Sequence, residues 1–350
     1  MIRIGIAGLG FMGMVHYLSY QKLRGVQVVA LCEQNRKRLA GDWRDIQGNF
    51  GPRGQQMDLA GVRTYTELAD MLADETIDLV DVTLPPALHA DVATRALARG
   101  KHVFSEKPMA LSVADCRRMQ GAAKKARRQL FVGHVLPFFP EYTWALKIIR
   151  SGKYGRVRGG SFKRIIAEPL WLKNFWLADQ IGGPMFDLHV HDAHFIRLVF
   201  DMPRGVVTRG TTKQGLAKFW HSLFDFADPD CVVEATSGTI DQQGRSFNHG
   251  FEIRLERATL LFEFAVFGGE GRYLCPPTIL DAAGKAKTVE LTGGDPMEAF
   301  HAELKEVTAC VSKNRASALL SGNLAMDAIR LCHAQSESLL NHRPIRIKTR

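Results

Sequence analysis

The sequence predicts a two-domain protein of the α/β plus α+β class. A doubly wound parallel sheet comes first, followed by an α/β domain built on a large, mostly antiparallel open sheet. Three observations predict it. The chain has 350 residues, past the roughly 250–300 at which a single core stops growing. Its first third alternates short apolar runs with amphipathic stretches, the rhythm of βαβ units. After about residue 155 strand patterns follow one another directly, as antiparallel pairing requires.

Residues 2–7, 26–32, 79–84, 102–105 and 130–133 read as strands buried on both faces, because their apolar runs are nearly continuous. Between them, 87–99 and 113–127 have helical periodicity. Ser112 and Asp115 give the second of these an S-x-x-D capping pattern. Residues 41–61 hold Gly48, Gly51, Pro52 and Gly54 and few periodic apolar positions. They read as a long surface loop at a site edge or an interface. In the second half, 157–166, 205–212, 219–225, 231–240, 247–256 and 259–267 read as successive strands. Helical patterns cover 185–200 and 296–313, with a last helix near 323–340. The expected domains are 1–133 and 134–350, the final helix being able to pack back on the first.

Composition narrows the function classes. With 46% hydrophobic and 23% charged residues the chain reads as an ordinary soluble globular protein. It has no run of about 18 apolar residues, so no membrane span or membrane partner is expected. Met1 leads directly into a strand pattern, without the basic start and apolar core of a signal peptide. The six cysteines (32, 116, 231, 275, 310 and 332) lack CxxC spacing, which implies reduced cytoplasmic thiols and no metal site. A net charge of +10 favours anionic partners. The basic residues are dispersed, however, and runs such as 36–38 and 124–128 read as solvated helix faces, so nucleic acid is not expected as a partner.

Gly8-Leu9-Gly10-Phe11-Met12-Gly13 follows the first strand and opens a helical pattern. Gly8 permits the tight turn, Gly10 lets backbone approach a pyrophosphate, and Gly13 allows close helix–strand packing. The helix N-terminus then offers free N–H groups to phosphate. Twenty positions beyond Gly13, at the end of the second strand, stands Glu33, placed for the adenosine ribose hydroxyls. Strand, glycines, helix and acid in this order mark a Rossmann dinucleotide-binding domain. Glu33 would repel a 2′-phosphate and favours NAD. Arg38, in the run Arg36-Lys37-Arg38, is the residue that would clasp that phosphate and keeps NADP as the alternative. Gly8, Gly10, Phe11, Met12, Gly13, Glu33 and Arg38 are the cofactor-binding candidates of this region.

The run Gly100-Lys101-His102-Val103-Phe104-Ser105-Glu106-Lys107-Pro108 resembles the GKHV-x-x-EKP signature of the glucose–fructose oxidoreductase/inositol dehydrogenase (Gfo/Idh/MocA) family. Gly182-Gly183-Pro184 followed by Asp187 and His191 resembles that family's glycine-rich run and D-x-x-x-H. With the fingerprint and a closing helix near 321–340, the resemblance covers essentially the whole chain. It implies that Lys107, Asp187 and His191 are catalytic, and that Thr83, Pro85, His89, Glu106 and Lys107 join the cofactor site. Two positions depart from the pattern: His194 stands where many relatives carry aspartate, and Pro137 where relatives often carry arginine.

The residues are chemically suited to those roles. Lys107 follows the fifth strand at the carboxyl edge of the sheet, where an ammonium can stabilise alkoxide character on a reacting oxygen. Pro108 lacks an N–H and would end the strand there. Asp187, His191 and His194 fall at i, i+4 and i+7 of a helical pattern and are expected to share a face, with His189 and Asp192 pointing elsewhere. An imidazole suits proton abstraction and a carboxylate beside it orients hydroxyls. His134, Trp176 and His194 are substrate candidates, and Trp171 and Trp176 could wall a pocket or fill a core. One helical face supplies too few ligands for a metal.

The expected function is hydride transfer between NAD(H) and a secondary alcohol of a sugar, cyclitol or related polyol. The alternatives are a redox-neutral use of NAD in oxidation–elimination or glycoside cleavage, and a non-catalytic dinucleotide- or sugar-sensing regulator. A large sheet with one open face usually needs covering, so a homodimer or homotetramer through the C-terminal sheet is expected.

Overall fold

The structure, a computed structural model, describes residues 1–48, 50–292 and 294–348. Along the chain come β1 (Ile2–Ala7), α1 (Phe11–Tyr20), β2 (Val26–Cys32), α2 (Arg36–Leu39), β3 (Arg63–Tyr65), α3 (Leu68–Ala73), β4 (Leu79–Val82), α4 (Pro86–Ala98), β5 (His102–Glu106), α5 (Val113–Ala126) and β6 (Leu130–Gly133). Next are α6 (Pro140–Arg150), β7 (Val157–Ala167), α7 (Val190–Phe200), β8 (Gly205–Lys213), β9 (Leu216–Asp225), β10 (Val232–Ile240), β11 (Arg245–Leu255), β12 (Ala258–Phe267), β13 (Glu270–Asp281) and β14 (Ala286–Thr288). The chain closes with α8 (Pro296–Ser312), α9 (Gly322–Asn341) and β15 (Ile345–Arg346). Among the described residues no helix is long and apolar enough to cross a membrane.

Two compact units result: Met1–Phe139 with Gly293–Met326, and Pro140–Thr292 with Asp327–Arg350. The boundary expected after residue 133 falls after Phe139, and α8, expected in the second domain, clusters with the first. The physical reason is apolar. Leu304, Val307 and Cys310 of α8 are fully buried in the same core as Ile4, Leu79 and Phe104. Helix α9 belongs to both units, changing over after Met326.

In the first unit, among the described residues, six parallel strands pair in the order β3-β2-β1-β4-β5-β6. The order reverses between β1 and β4, the switch point at which such sheets bind ligands. Ile4, Ile6, Leu79, Val80, Val103 and Phe104 are all fully buried, as near-continuous apolar strands demand. Strand β4 stops at Val82 rather than at the expected residue 84, close before Pro85 and Pro86, which have no N–H for a ladder and open α4. Ser112 caps α5 as its pattern indicated, accepting the Asp115 N–H at 3.0 Å.

In the second unit, among the described residues, nine strands run β14-β13-β12-β11-β7-β10-β9-β8-β15, antiparallel except for the β7–β10 pair. Burial alternates along them. In β9, Trp220, Ser222 and Phe224 are buried while His221, Leu223 and Asp225 are exposed, which is the signature of a sheet with one covered and one open face. Neither α6 nor β13 is visible in the sequence periodicity. Pro140 reads as a breaker, yet it occupies the first helical position, where no N–H is needed. Pro276 and Pro277 interrupt β13, and the β12–β13 register breaks around them as a bulge.

Candidate functional site

The first unit holds a phosphate cradle at its switch point. Gly8 takes φ +100, and its carbonyl accepts the Thr83 hydroxyl at 2.7 Å, so β4 braces the turn after β1. A Cβ on Gly13 would lie 2.1 Å from the Gly8 oxygen, whereas one on Gly10 would meet nothing within 4 Å. Gly13 is thus demanded by packing, and Gly10 leaves open room above the first turn of α1. Gly10 caps that helix without a side chain, so its N–H groups and positive end face this room. A dinucleotide pyrophosphate fits such a cradle. Thr83 spends its hydroxyl on the turn, and Pro85 is exposed at the start of α4.

Glu33 flanks the cradle with a fixed carboxylate, which accepts the N–H groups of Leu9 (2.8 Å) and Asn35 (2.9 Å). Arg38 donates to the Leu9 carbonyl at 3.0 Å and to Asp45 at 2.8 Å. Phe11 and Met12 are half-buried, and Phe11 meets Phe50 edge-on at 4.8 Å.

Lys107 is half-buried just past β5, and its N–H donates to the Glu106 carboxylate at 3.1 Å. The Lys107-Pro108 peptide is cis. Behind it lies a buried ionic cluster that motif reading missed. His16 Nδ1 is 2.9 Å from Asp81 and its Nε2 is 3.2 Å from Glu106. Burial alone would push the His16 pKa down, but Asp81 and then Glu106 outweigh it and raise the value to about 10. Glu303 of α8, fully buried, lies in the same field, and desolvation together with the Glu106 carboxylate holds its carboxyl well above the usual range. The signal available in the sequence was Asp81 itself, a charge inside an otherwise apolar buried strand.

His89 is buried and spends both ring nitrogens on backbone, Nδ1 2.8 Å from the Pro108 carbonyl and Nε2 2.7 Å from that of Leu84. It ties the turn after Lys107 to the exit of β4, a bracing role rather than direct reach toward a ligand. His134 is buried directly after β6.

The second unit carries Asp187 and His191. Gly182 and Gly183 take φ +81 and +68, reversing the chain before a π-helical turn, Met185–His189, that runs straight into α7. Such π turns are rare and occur frequently at functional sites. Asp187 and His191 are half-buried, while His194 is fully buried. Asp187 within the π turn and His191 in the first turn of α7 are thus partly exposed, and His194 lies at depth.

Asp192 anchors this helix to the sheet. Arg164 of β7 donates to it through Nε at 2.5 Å and Nη2 at 3.2 Å, and also to the Tyr142 hydroxyl at 3.3 Å. His189 pairs with the Ser237 hydroxyl at 2.8 Å, and burial, reinforced by Arg164, pushes its pKa down to about 3. Near the glycine turn, the Trp176 indole donates to Glu168 at 2.9 Å, and Lys213 pairs with the same carboxylate and lies 5.2 Å over the indole ring. Trp171 is 69% exposed, so only Trp176 is built into a polar wall.

Comparison with known proteins bears on the first unit and on the fold. Residues 2–134 match the family model described as the Gfo/Idh/MocA oxidoreductase family, NAD-binding Rossmann fold. The chain is 30% identical over 201 residues to 1-carboxy-3-chloro-3,4-dihydroxycyclohexa-1,5-diene dehydrogenase of Comamonas testosteroni, covering 57% of this chain and 47% of that one. It is 30% identical over 159 residues to inositol 2-dehydrogenase of Salmonella paratyphi B, covering 44% and 43%. The chain thus spans about half the length of the curated relatives it matches. The solved structure of levoglucosan dehydrogenase in complex with NADH and levoglucosan shares the fold with a TM-score of 0.79 at 18% identity, covering 99% of this chain and 100% of that one. Residues 2–134 thus resemble the NAD-binding Rossmann domain of the Gfo/Idh/MocA oxidoreductase family.

Proposed function

We propose that this protein is an NAD(H)-dependent oxidoreductase acting on a secondary alcohol of a sugar, cyclitol or related polyol. The observation that carries the reading is in the first unit. A phosphate cradle with a fixed ribose-side acid shares the carboxyl edge of one parallel sheet with a half-buried lysine. NAD, when bound, supplies the hydride acceptor. Gly8, Gly10 and Gly13 with the first turn of α1 hold its pyrophosphate, and Glu33 receives the ribose hydroxyls.

Lys107 donates a hydrogen bond to the reacting oxygen and stabilises its alkoxide character. Glu106 and His89 position Lys107 through its N–H and through the following carbonyl. His191 takes the hydroxyl proton on a ring nitrogen, and Asp187 orients the substrate hydroxyls. Relatives named as dehydrogenases of a dihydroxycyclohexadiene and of inositol support a cyclic secondary alcohol as the substrate class. The proposal includes a reducing, cytoplasmic setting, supported by cysteines present as free thiols. It also includes a homo-oligomer assembled through the open face of the second unit's sheet.

The test is kinetic. Lys107→Ala should lower kcat by about 10²–10³-fold while the protein still binds NAD in a direct titration. Unchanged turnover would remove Lys107 from the reaction.

A further inference from the structure

We infer that Asp45, carried by the insertion after α2, makes the site selective for NAD by sequestering the Arg38 guanidinium, the cation that would otherwise receive a 2′-phosphate. The inference rests on the reading that the glycine cradle binds a dinucleotide. Arg38 lies on the short helix directly after Glu33, where cations that accept a 2′-phosphate stand. Its donors are already engaged: Nε and Nη2 on Asp45 at 3.4 and 2.8 Å, and Nη1 on the Leu9 carbonyl at 3.0 Å. A phosphate would need that same planar fork. It would also meet two carboxylates, Glu33 and Asp45.

An exposed ion pair is weak on its own, but this one is held on a built loop. Trp43 is fully buried, meets Tyr17 edge-on at 5.0 Å, and donates its indole N–H to the Arg38 carbonyl at 2.8 Å. The loop closes on itself through Trp43 N–H to Gln55 O (3.2 Å) and Gly54 N–H to Ile46 O (2.9 Å). Packing there is tight, since a Cβ on Gly54 would lie 1.8 Å from the Trp43 oxygen. Farther along, Phe50 stacks on Phe300 at 5.2 Å and meets Phe11 of the fingerprint. Asp45 therefore comes from a segment fastened to the cradle at both ends, and the Arg38 pair draws its carboxyl below the ordinary value. The insertion thereby acquires a task that its length alone did not reveal.

The test is direct titration of the full-length protein with NAD and NADP, alongside Asp45→Asn and Asp45→Ala. The unaltered protein should prefer NAD. Either substitution should lower the ratio of the NADP Kd to the NAD Kd by about tenfold, the gain expected from one freed bidentate arginine. Adding Arg38→Ala should erase that gain, and Asp45→Glu should retain the original preference. A melting curve for each variant checks that it is folded. An unchanged ratio in both Asp45 variants, or a preference for NADP in the unaltered protein, would overturn the inference while leaving dinucleotide binding intact. Failure of the unaltered protein to bind either nucleotide would overturn both.

Discussion

His16 stands between two carboxylates that its own charge makes tolerable. Removing one partner of a buried ion pair strands the other charge, at a cost of about 3–5 kcal/mol. His16→Leu should therefore destabilise the protein by roughly that amount, measured by denaturant unfolding. The pH dependence has a definite sign. The His16 pKa is raised to about 10 in the fold from the ordinary histidine value of 6.5. Its contribution is fully present below pH 6.5 and is lost as pH rises through about 10. Glu303 also has a raised pKa, so folding favours its neutral form, and the protein loses stability as pH climbs above the ordinary carboxyl range. Glu303→Gln should raise Tm at pH 8 by about 2–4 °C, the shift expected for 1 kcal/mol, and by less at pH 5. Equal effects at the two pH values would show that Glu303 is not held neutral. Motif reading found Glu106 and Lys107 because their neighbours in sequence carry the signature. It missed His16, Asp81 and Glu303 because their partnership joins α1, β4, β5 and α8, which only the fold brings together.

Helix α7 depends on one buried pair for its seating on the sheet. Arg164→Met would leave the buried Asp192 carboxyl without its cation, to stay charged or take up a proton at a cost, which should again amount to about 3–5 kcal/mol and lower kcat through misplacement of Asp187 and His191. The double variant Arg164→Met/Asp192→Leu should regain most of the stability, because buried pairs are often replaceable by apolar packing. A double variant no more stable than the single one would show that the loss came from another contact of Arg164. The turn after β1 is equally intolerant: Gly13→Ala drives a methyl into the Gly8 carbonyl and should destabilise by about 1–3 kcal/mol. Strands of the parallel sheet were legible because burial on both faces writes continuous apolar runs. The helix at 185–200 was legible in extent, but its π turn was not, since periodicity does not record a change of winding over five residues. Proline obscured α6 and β13 for opposite reasons, one as a permitted helix start and the other as a tolerated bulge.

The division into two units follows from burial, not from chain order. The apolar face of α8 completes the first core, so a sequence boundary near residue 133 could not capture a unit that the chain leaves and re-enters. The large sheet's direct succession of strands was readable in advance, and its exposed face presents Leu223 and Val232 at 51% and 49% exposure. Apolar side chains on an open face favour a second copy as cover. Light scattering should return a dimer or tetramer, and a monomer would contradict that part of the proposal. The central claim is net hydride transfer, and it is tested most directly by following reduction of NAD across a panel of inositols, sugars and sugar acids, with Lys107→Ala beside the unaltered protein. Steady NADH formation from at least one cyclic secondary alcohol, matched by an equimolar ketone and lost in the variant, is the expected result. Firm NAD binding with no NADH from any compound, or equal NADH formation by Lys107→Ala, would contradict it.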